Sequence, residues 1–443
     1  MSKHESGGIV AKFGGTSNAT LESTEACFKL AEDANIVVVS APGKTGDSDK
    51  VTNLLLDARS AYERNGEVPS TVSDEVSARY ADIIGVTKGS DGKWIDDIAP
   101  RIISCVHQGR AAASTLGERL QAEIWQKQGY ELLDPVTSPI DLGDDPGLWR
   151  QWLEVRCSAD GRYVLPGNTT RHNGALADFE RGGSDISAGL VAFGTRAGLH
   201  RNYTDGGALS ADPSIIDRDR LSEIDHLLYV EGRELGRNGT GLVHAAAMIP
   251  LMIAGIPTHI ISAFDPDAPI TVMNNDVERA RERSRPGRVV AMSLMRNVAI
   301  IDAYVPGMAE QLGGLAKLEL ALRDNKVTLI DSESSGADSQ RYIVDAGSAL
   351  IAETAIQGTL SGSGEVQVTN DRSLIAFVGH ELGRRKMDLL STIMLGLNGN
   401  NLKAWQREEQ AILMGNHVLR VTVNSLGDEE QFNYLHQSVI EGR

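Results

Sequence analysis

The first 275 or so residues alternate short apolar runs with longer amphipathic stretches, the pattern of an α/β domain. Ile9-Val10-Ala11-Lys12-Phe13 has the apolar, β-branched character of a buried strand. Ile36-Val37-Val38-Val39 is the next clear strand. Helical stretches are predicted over Thr20 to Ala34, Arg101 to Gln128 and Ala188 to Thr195. Residues 276–288 are densely charged and reach a Pro286-Gly287 turn, which predicts a solvated surface linker. Beyond it, strand-rich blocks at Val289 to Ile301 and Val327 to Val344 flank a helix from about Met308 to Arg323. Ser373 to Val378, Asp388 to Leu397 and Val418 to Val423 suggest a second strand–helix–strand unit.

Composition narrows the function classes. A chain of 443 residues exceeds one core, so two or three domains are expected. Apolar residues make up 41% and charged residues 23%, ordinary globular usage. A net charge of −17 disfavours nucleic acid or an anionic membrane as partner, because both need a basic face. It leaves room for a nucleotide, since a site can be locally positive. Cys27, Cys105 and Cys157 are widely spaced, form no metal motif and are odd in number, so they read as core or incidental thiols. The polar N-terminus and the lack of a long apolar stretch lead to the expectation of a soluble, cytoplasmic protein.

Candidate chemistry lies in four segments that follow one another in order. Lys12-Phe13-Gly14-Gly15-Thr16-Ser17 ends the first strand with two glycines. Glycine turns expose backbone N–H groups that attract phosphate oxygens, and Lys12 adds a positive charge. The plainer reading is a glycine turn beside a surface lysine, and the spacing is not that of a Walker loop. Gly117-Glu118-Arg119 comes next, then Arg181-Gly182-Gly183-Ser184-Asp185 just before a small-residue helix. Ser184 and Asp185 therefore sit near a helix N-terminus, where anions are stabilised. Capping explains one of those two residues but not an arginine followed by two glycines, and an arginine there can clamp a carboxylate. Tyr203-Thr204-Asp205 and, shortly after, Ala211-Asp212-Pro213 complete the set. Together they suggest one phosphoryl-transfer site.

In this order the motifs resemble those of the aspartate kinases in the amino-acid kinase superfamily, from about Ile9 to about Val272. Ser40-Ala41-Pro42-Gly43-Lys44, Lys50-Val51-Thr52-Asn53 and Leu165-Pro166-Gly167 are similar to further family segments. The resemblance implies an α/β, amino-acid kinase fold, a three-layer αβα sandwich, over residues 1–275. It implies a linker at 276–288 and tandem ACT-like βαββαβ regulatory domains over 289–443. Lys12 is then expected to stabilise the transferring phosphoryl group and Asp185 to orient Lys12. Ser40, Thr52, Glu118, Arg181 and Ser184 would bind the acceptor, with Glu118 on its ammonium and Arg181 on a carboxylate. Gly14, Gly15, Thr204, Asp205, Ser210 and Asp212 would bind the nucleotide. The implied substrates are ATP and L-aspartate, with Mg2+ held mainly by the nucleotide phosphates and no protein metal site. The product would be 4-phospho-L-aspartate. An amino-acid effector, lysine or threonine, and a homodimer joined through the C-terminal domains are also implied.

The chain departs from the family pattern in places. Ser214 stands where members often carry arginine after Asp-Pro, and Gly241 where many carry lysine. Lys44 or Arg218 could supply the missing charge. Leu329 to Glu333 is only similar to an effector segment, and Gln406 to Gln410 is unlike one. His380, in Val378 to Gly383, reads as a turn residue before a regulatory helix, not a catalyst. Two alternatives stay open: a kinase for another amino acid in specialised metabolism, and a non-catalytic amino-acid sensor. Lys12 is expected to be exposed and to matter little for folding.

Overall fold

Burial on both faces explains the centre of the main sheet. A computed structural model describes residues 7–85, 92–179, 182–238, 240, 242–284, 287–308, 310, 313–360, 364–385, 387–393 and 412–441. The first strand, Ile9–Phe13 (β1), sends Ala11 and Phe13 into one apolar core together with Trp125 and Tyr203. Lys12 and its neighbours of the same parity face the opposite side. The strand Ile36–Val39 (β2) is buried along its whole length, as a parallel strand covered on both faces should be.

The chain forms two compact units. One comprises Met1–Ala208, Glu223–Arg233 and Val243–Asp276; the other comprises Leu209–Ser222, Glu234–Leu242 and Val277–Arg443. In the first, helices Leu21–Leu30 (α1), Val51–Asn65 (α2), Ser70–Ile83 (α3), Gly92–Gln108 (α4) and Arg110–Gln126 (α5) follow the first strands. Then come Glu131–Leu132 (β3), helix Pro146–Arg156 (α6), Tyr163–Pro166 (β4), the hairpin Thr169–His172 (β5) and Ala175–Asp178 (β6), and helix Gly183–Thr195 (α7). Leu199–Thr204 (β7) and the two-residue strands Ala208–Leu209 (β8) and Glu223–Ile224 (β9) lead to His226–Leu228 (β10). Helices Tyr229–Arg237 (α8) and Met248–Ala254 (α9) and strands Thr258–Ser262 (β11) and Thr271–Asn274 (β12) complete the series.

The eight-stranded sheet runs β10-β12-β11-β7-β1-β2-β4-β3, parallel throughout except for the β11–β12 pair. Helix α5 packs on one face through Trp125, and α7 packs against β1 on the other, between α6 and α9. Helices α2 to α5 add a second apolar cluster around Leu55, Tyr80, Ile102 and Leu120. Residues 101–128, expected as one helix, are two. Gly109 breaks them with φ 128°, a conformation closed to side-chain-bearing residues.

In the second unit the charged stretch contains a short helix, Val277–Arg283 (α10), with Ala280 buried and an Arg281–Glu278 ion pair on its surface. Strand Ala291–Tyr304 (β13), helix Gly314–Asp324 (α11), strands Leu329–Gly336 (β14) and Ser339–Asp345 (β15), helix Ala349–Thr359 (α12) and strand Glu365–Val378 (β16) then give a βαββαβ order. Strands Ile412–Met414 (β17) and Val418–Asn424 (β18) and a last helix, Asp428–His436, follow. All six strands form one antiparallel sheet, β14-β15-β13-β16-β18-β17. The fourteen-residue strands β13 and β16 pair along nearly their full length, so the two ACT-like units share strands instead of following one another as separate sheets. Ala211 and Ile216 lie in the core of this second unit with Met292, Phe377, Leu419 and Phe432.

Candidate active site

The carboxyl ends of β1, β2 and β7 gather the predicted residues, as expected for the crevice of a parallel sheet. Lys12 is not the exposed lysine that the sequence suggested. It is 8% exposed, because β1 is central and its even positions face α7. Its Nζ lies 2.7 Å from Asp185 Oδ1 in the first turn of α7. Burial works to raise the Asp185 pKa, but the Lys12 charge and hydrogen bond, then the His244 N–H, hold it below its ordinary value. That N–H donates to Asp185 Oδ2 at 3.0 Å. Breaking such a mostly buried pair by removing one partner costs about 3–5 kcal/mol, so Lys12 matters for folding as well as for any chemistry.

Helix α7 begins at Gly183, five residues earlier than its hydrophobic pattern suggested, with Gly182 before it at φ 64°. Ser184 and Asp185 therefore both occupy its first turn. The Ser40 hydroxyl, just after β2, donates to Ser184 Oγ at 2.9 Å. Glu118 lies on α5, and the absent side chain of Gly117 lets that helix close on Ala41: a Cβ there would sit 2.6 Å from the Ala41 Cβ. Glu118 is 5% exposed, and its Oε2 has no hydrogen-bond partner among the described residues. Burial pushes its pKa up to about 8, only partly offset by backbone hydrogen bonds from its own residue and Ala41. A buried carboxyl with an open oxygen is suited to receive a cationic group. Thr52 is half-buried in the first turn of α2. Arg181 lies outside the described residues.

The two glycine turns meet here. Gly43 N–H donates to the Gly15 carbonyl at 2.8 Å, and a Cβ on Gly43 would fall 2.7 Å from the Gly15 carbonyl carbon. The Gly14 N–H, expected to be open to phosphate, instead donates to the Tyr203 carbonyl at 3.3 Å and ties β1 to β7. Thr204 closes β7, and its carbonyl accepts from Ala263 N–H at 2.8 Å; Asp205 follows it directly. A separate cavity of about 290 Å³, lined by Gly8, Asn35, Leu153, Cys157 and Tyr163, opens at the amino ends of β1, β2 and β4, the end of the sheet away from this chemistry. Among the described residues no group of three or more His, Cys, Asp or Glu side chains converges as a metal site. Burial raises all three thiol pKa values, Cys27 to about 12 and Cys157 to about 11, so none is an activated nucleophile. Among the described residues no helix is long and apolar enough to cross a membrane.

The profile of the amino acid kinase family matches residues 8–262, well over half of the chain. The chain belongs to this family. The chain is 31% identical to aspartokinase 3 of Bacillus subtilis over 285 residues, 58% of this chain and 62% of that protein. It thus spans about three fifths of that relative's length. It is 27% identical to an aspartokinase of Chlamydia pneumoniae over 425 residues, 88% of this chain and 89% of the relative. Escherichia coli aspartokinase III, solved in complex with aspartate and ADP, shares its fold with a TM-score of 0.78 at 21% identity, covering 98% and 99% of the two chains.

Two nucleotide candidates of this family member fall in its second compact unit. Ser210 is fully buried there; its hydroxyl accepts from Ser222 N–H at 3.0 Å and pairs with His436 Nε2 at 3.3 Å. Asp212 Oδ1 accepts from the Ser214 N–H at 2.8 Å. Ser210 therefore serves the packing of the second unit. Gly241 and Gln406 to Gln410 lie outside the described residues. His380 is 4% exposed and its ring stacks on His417 at 5.6 Å, in the turn where it was expected.

Sequence reasoning missed three residues of the candidate site. Asn18 is fully buried and donates to the Gly14 carbonyl at 3.0 Å, while Gln121 on α5 donates to Asn18 Oδ1 at 3.2 Å. An asparagine directly after Lys12–Ser17 is the signal that could have marked it. Gln121, one helical turn beyond Glu118, shares its face. His244, which holds Asp185 through a backbone N–H, carries no side-chain signal at all.

Proposed function

We propose that this kinase transfers the γ-phosphoryl group of ATP to the side-chain carboxylate of L-aspartate, forming 4-phospho-L-aspartate and ADP, under allosteric control by its C-terminal unit. The observation that carries the reading is the buried Glu118 with an open carboxylate oxygen, set beside the Ser40–Ser184 contact and on the same sheet edge as the Lys12–Asp185 pair. Glu118 would take the substrate ammonium, and Arg181 one of its carboxylates. A β-carboxylate is already ionised at neutral pH, so its oxygen attacks phosphorus without a general base. Lys12, oriented by Asp185, offsets the charge on the transferred group. Gly15, Thr204 and Asp205 lie where the nucleotide would enter. Mg2+ would arrive on the nucleotide phosphates and neutralise them. We further propose a homodimer through the C-terminal unit, lysine or threonine as effector, and a cytoplasmic location.

Purified protein with Mg-ATP and L-aspartate should give a hydroxamate with hydroxylamine. Lys12→Ala should lower kcat by about 10²-fold or more. Phosphorylation of a different amino acid alone would replace the substrate. ATP left unused with every amino acid would leave the non-catalytic sensor, the reading that Ser214 and Ser210 favour.

A further inference from the structure

Arg79 stands outside every segment that suggested chemistry. It lies on α3 and is 7% exposed, yet among the described residues no carboxylate lies within ion-pairing distance of it. Its guanidinium instead binds one loop four times. Nη2 donates to the Gly43 carbonyl and to Thr45 Oγ1, at 3.1 Å for the latter. Nη1 donates to Ser48 Oγ at 2.7 Å and to the Asp49 carbonyl at 3.1 Å. Ser48 in turn donates to Glu75 Oε1 at 2.6 Å, one helical turn before Arg79. Burial pushes the Arg79 pKa below that of an ordinary arginine, an effect that the nearby charges of Glu75 and Asp82 offset in part.

The loop held this way joins β2 to α2. It begins after Ser40, which contacts Ser184, and ends before Thr52. Ala41 within it gives a backbone hydrogen bond to Glu118, and Gly43 bonds the Gly15 turn. Between those anchors the chain narrows to a Thr45–Ser48 bridge with Lys44, Thr45, Gly46 and Asp47 exposed. Such a polar, glycine-containing loop has little apolar burial to fix it. The planar five-donor fork of an arginine is suited to gather two carbonyls and two hydroxyls at once.

We propose that Arg79 is a positioning residue for the acceptor: it locks the 41–50 loop so that Ser40, Ala41 and Thr52 hold the amino-acid substrate in register with Glu118. The proposal rests on the acceptor reading given above. Arg79 touches no reacting atom. Its effect is on acceptor affinity, because the acceptor groups lie at both ends of the loop.

The test uses the full chain and two readouts. In hydroxamate kinetics, Arg79→Met raises the KM for aspartate at least about tenfold and leaves the KM for ATP within about twofold. Arg79→Lys restores part of the loss, since an ammonium reaches fewer of the four acceptors at once. In limited trypsin digestion without substrate, Arg79→Met accelerates cleavage after Lys44 and Lys50 over the wild type. Thr45→Val with Ser48→Ala removes two of the four acceptors while keeping Arg79 and its two backbone acceptors, and reproduces both effects if Arg79→Met does not fold. Unchanged aspartate KM together with unchanged cleavage in the double variant overturns the proposal. A wild type that phosphorylates no amino acid overturns the acceptor reading instead, and the cleavage comparison still decides whether Arg79 locks the loop.

Discussion

Glu118 makes its own pH signature. Its folded pKa of about 8 lies well above the ordinary value of 4.5, so between those limits the folded chain keeps a proton that the unfolded chain has lost. Its contribution to stability is therefore full below about pH 4.5 and is lost as pH rises toward about 8. Glu118→Gln should flatten the fall in stability over that window, read by denaturant unfolding at a series of pH values. A bound ammonium beside Glu118 would favour the carboxylate, so aspartate binding near pH 7 should release up to about one proton. Calorimetry in two buffers of different ionisation enthalpy measures that release. Its persistence in Glu118→Gln would assign the proton to another group. His200 pulls the other way: burial lowers its pKa to about 4, so its share of stability fades as pH falls from about 6.5 through that value.

At the scale of elements, the amino end of α7 is the joint on which the site turns. Gly182 combines φ 64° with a close approach in which a Cβ would lie 2.3 Å from the His244 ring. Gly182→Ala must therefore strain the backbone and displace the residue whose N–H holds Asp185. A loss of roughly 1–3 kcal/mol in stability and a clear drop in kcat are expected. Full activity in that variant would detach His244 from the orientation of Asp185. This joint also shows what the chain discloses before it folds. Strands β1 and β2 were legible to the residue because β1 is apolar except at Lys12 and β2 is apolar throughout. The start of α7 was not, since two glycines hide a helical turn behind poor propensity. Lys12 and Ser184 were found from motif and position. The burial of Lys12 was hidden because it depends on which strands flank β1, and Arg79 because its ligands lie some thirty residues away in the chain.

At the scale of the whole chain, the second unit draws on three separated segments. Arg420 on β18, 5% exposed, marks where the second and third of them join. It donates to Asp331 Oδ2 on β14 at 2.7 Å, to Asn238 Oδ1 at 3.2 Å and to Glu234 near the end of α8. Arg420→Met leaves two carboxylates without their cation and should cost about 3 kcal/mol or more in stability. Chemical denaturation of the full chain checks this. A change below about 0.5 kcal/mol would mean that water already serves those carboxylates.

The interleaving has a consequence for how such a protein can change. Ala211 and Ile216 complete the apolar core of the second unit, and Glu234 and Asn238 complete the Arg420 cluster, although all four precede the charged stretch at 276–288. A recombination event with one crossover in that stretch would import a new C-terminal half without the segments that finish its core. The hybrid would begin with an ill-fitting core and an ill-matched ion cluster, whatever the quality of either parent. Whatever property the second unit confers should therefore travel with positions 209–222 and 234–242 as well as with the C-terminal half, making the exchangeable unit of this protein discontinuous in the gene.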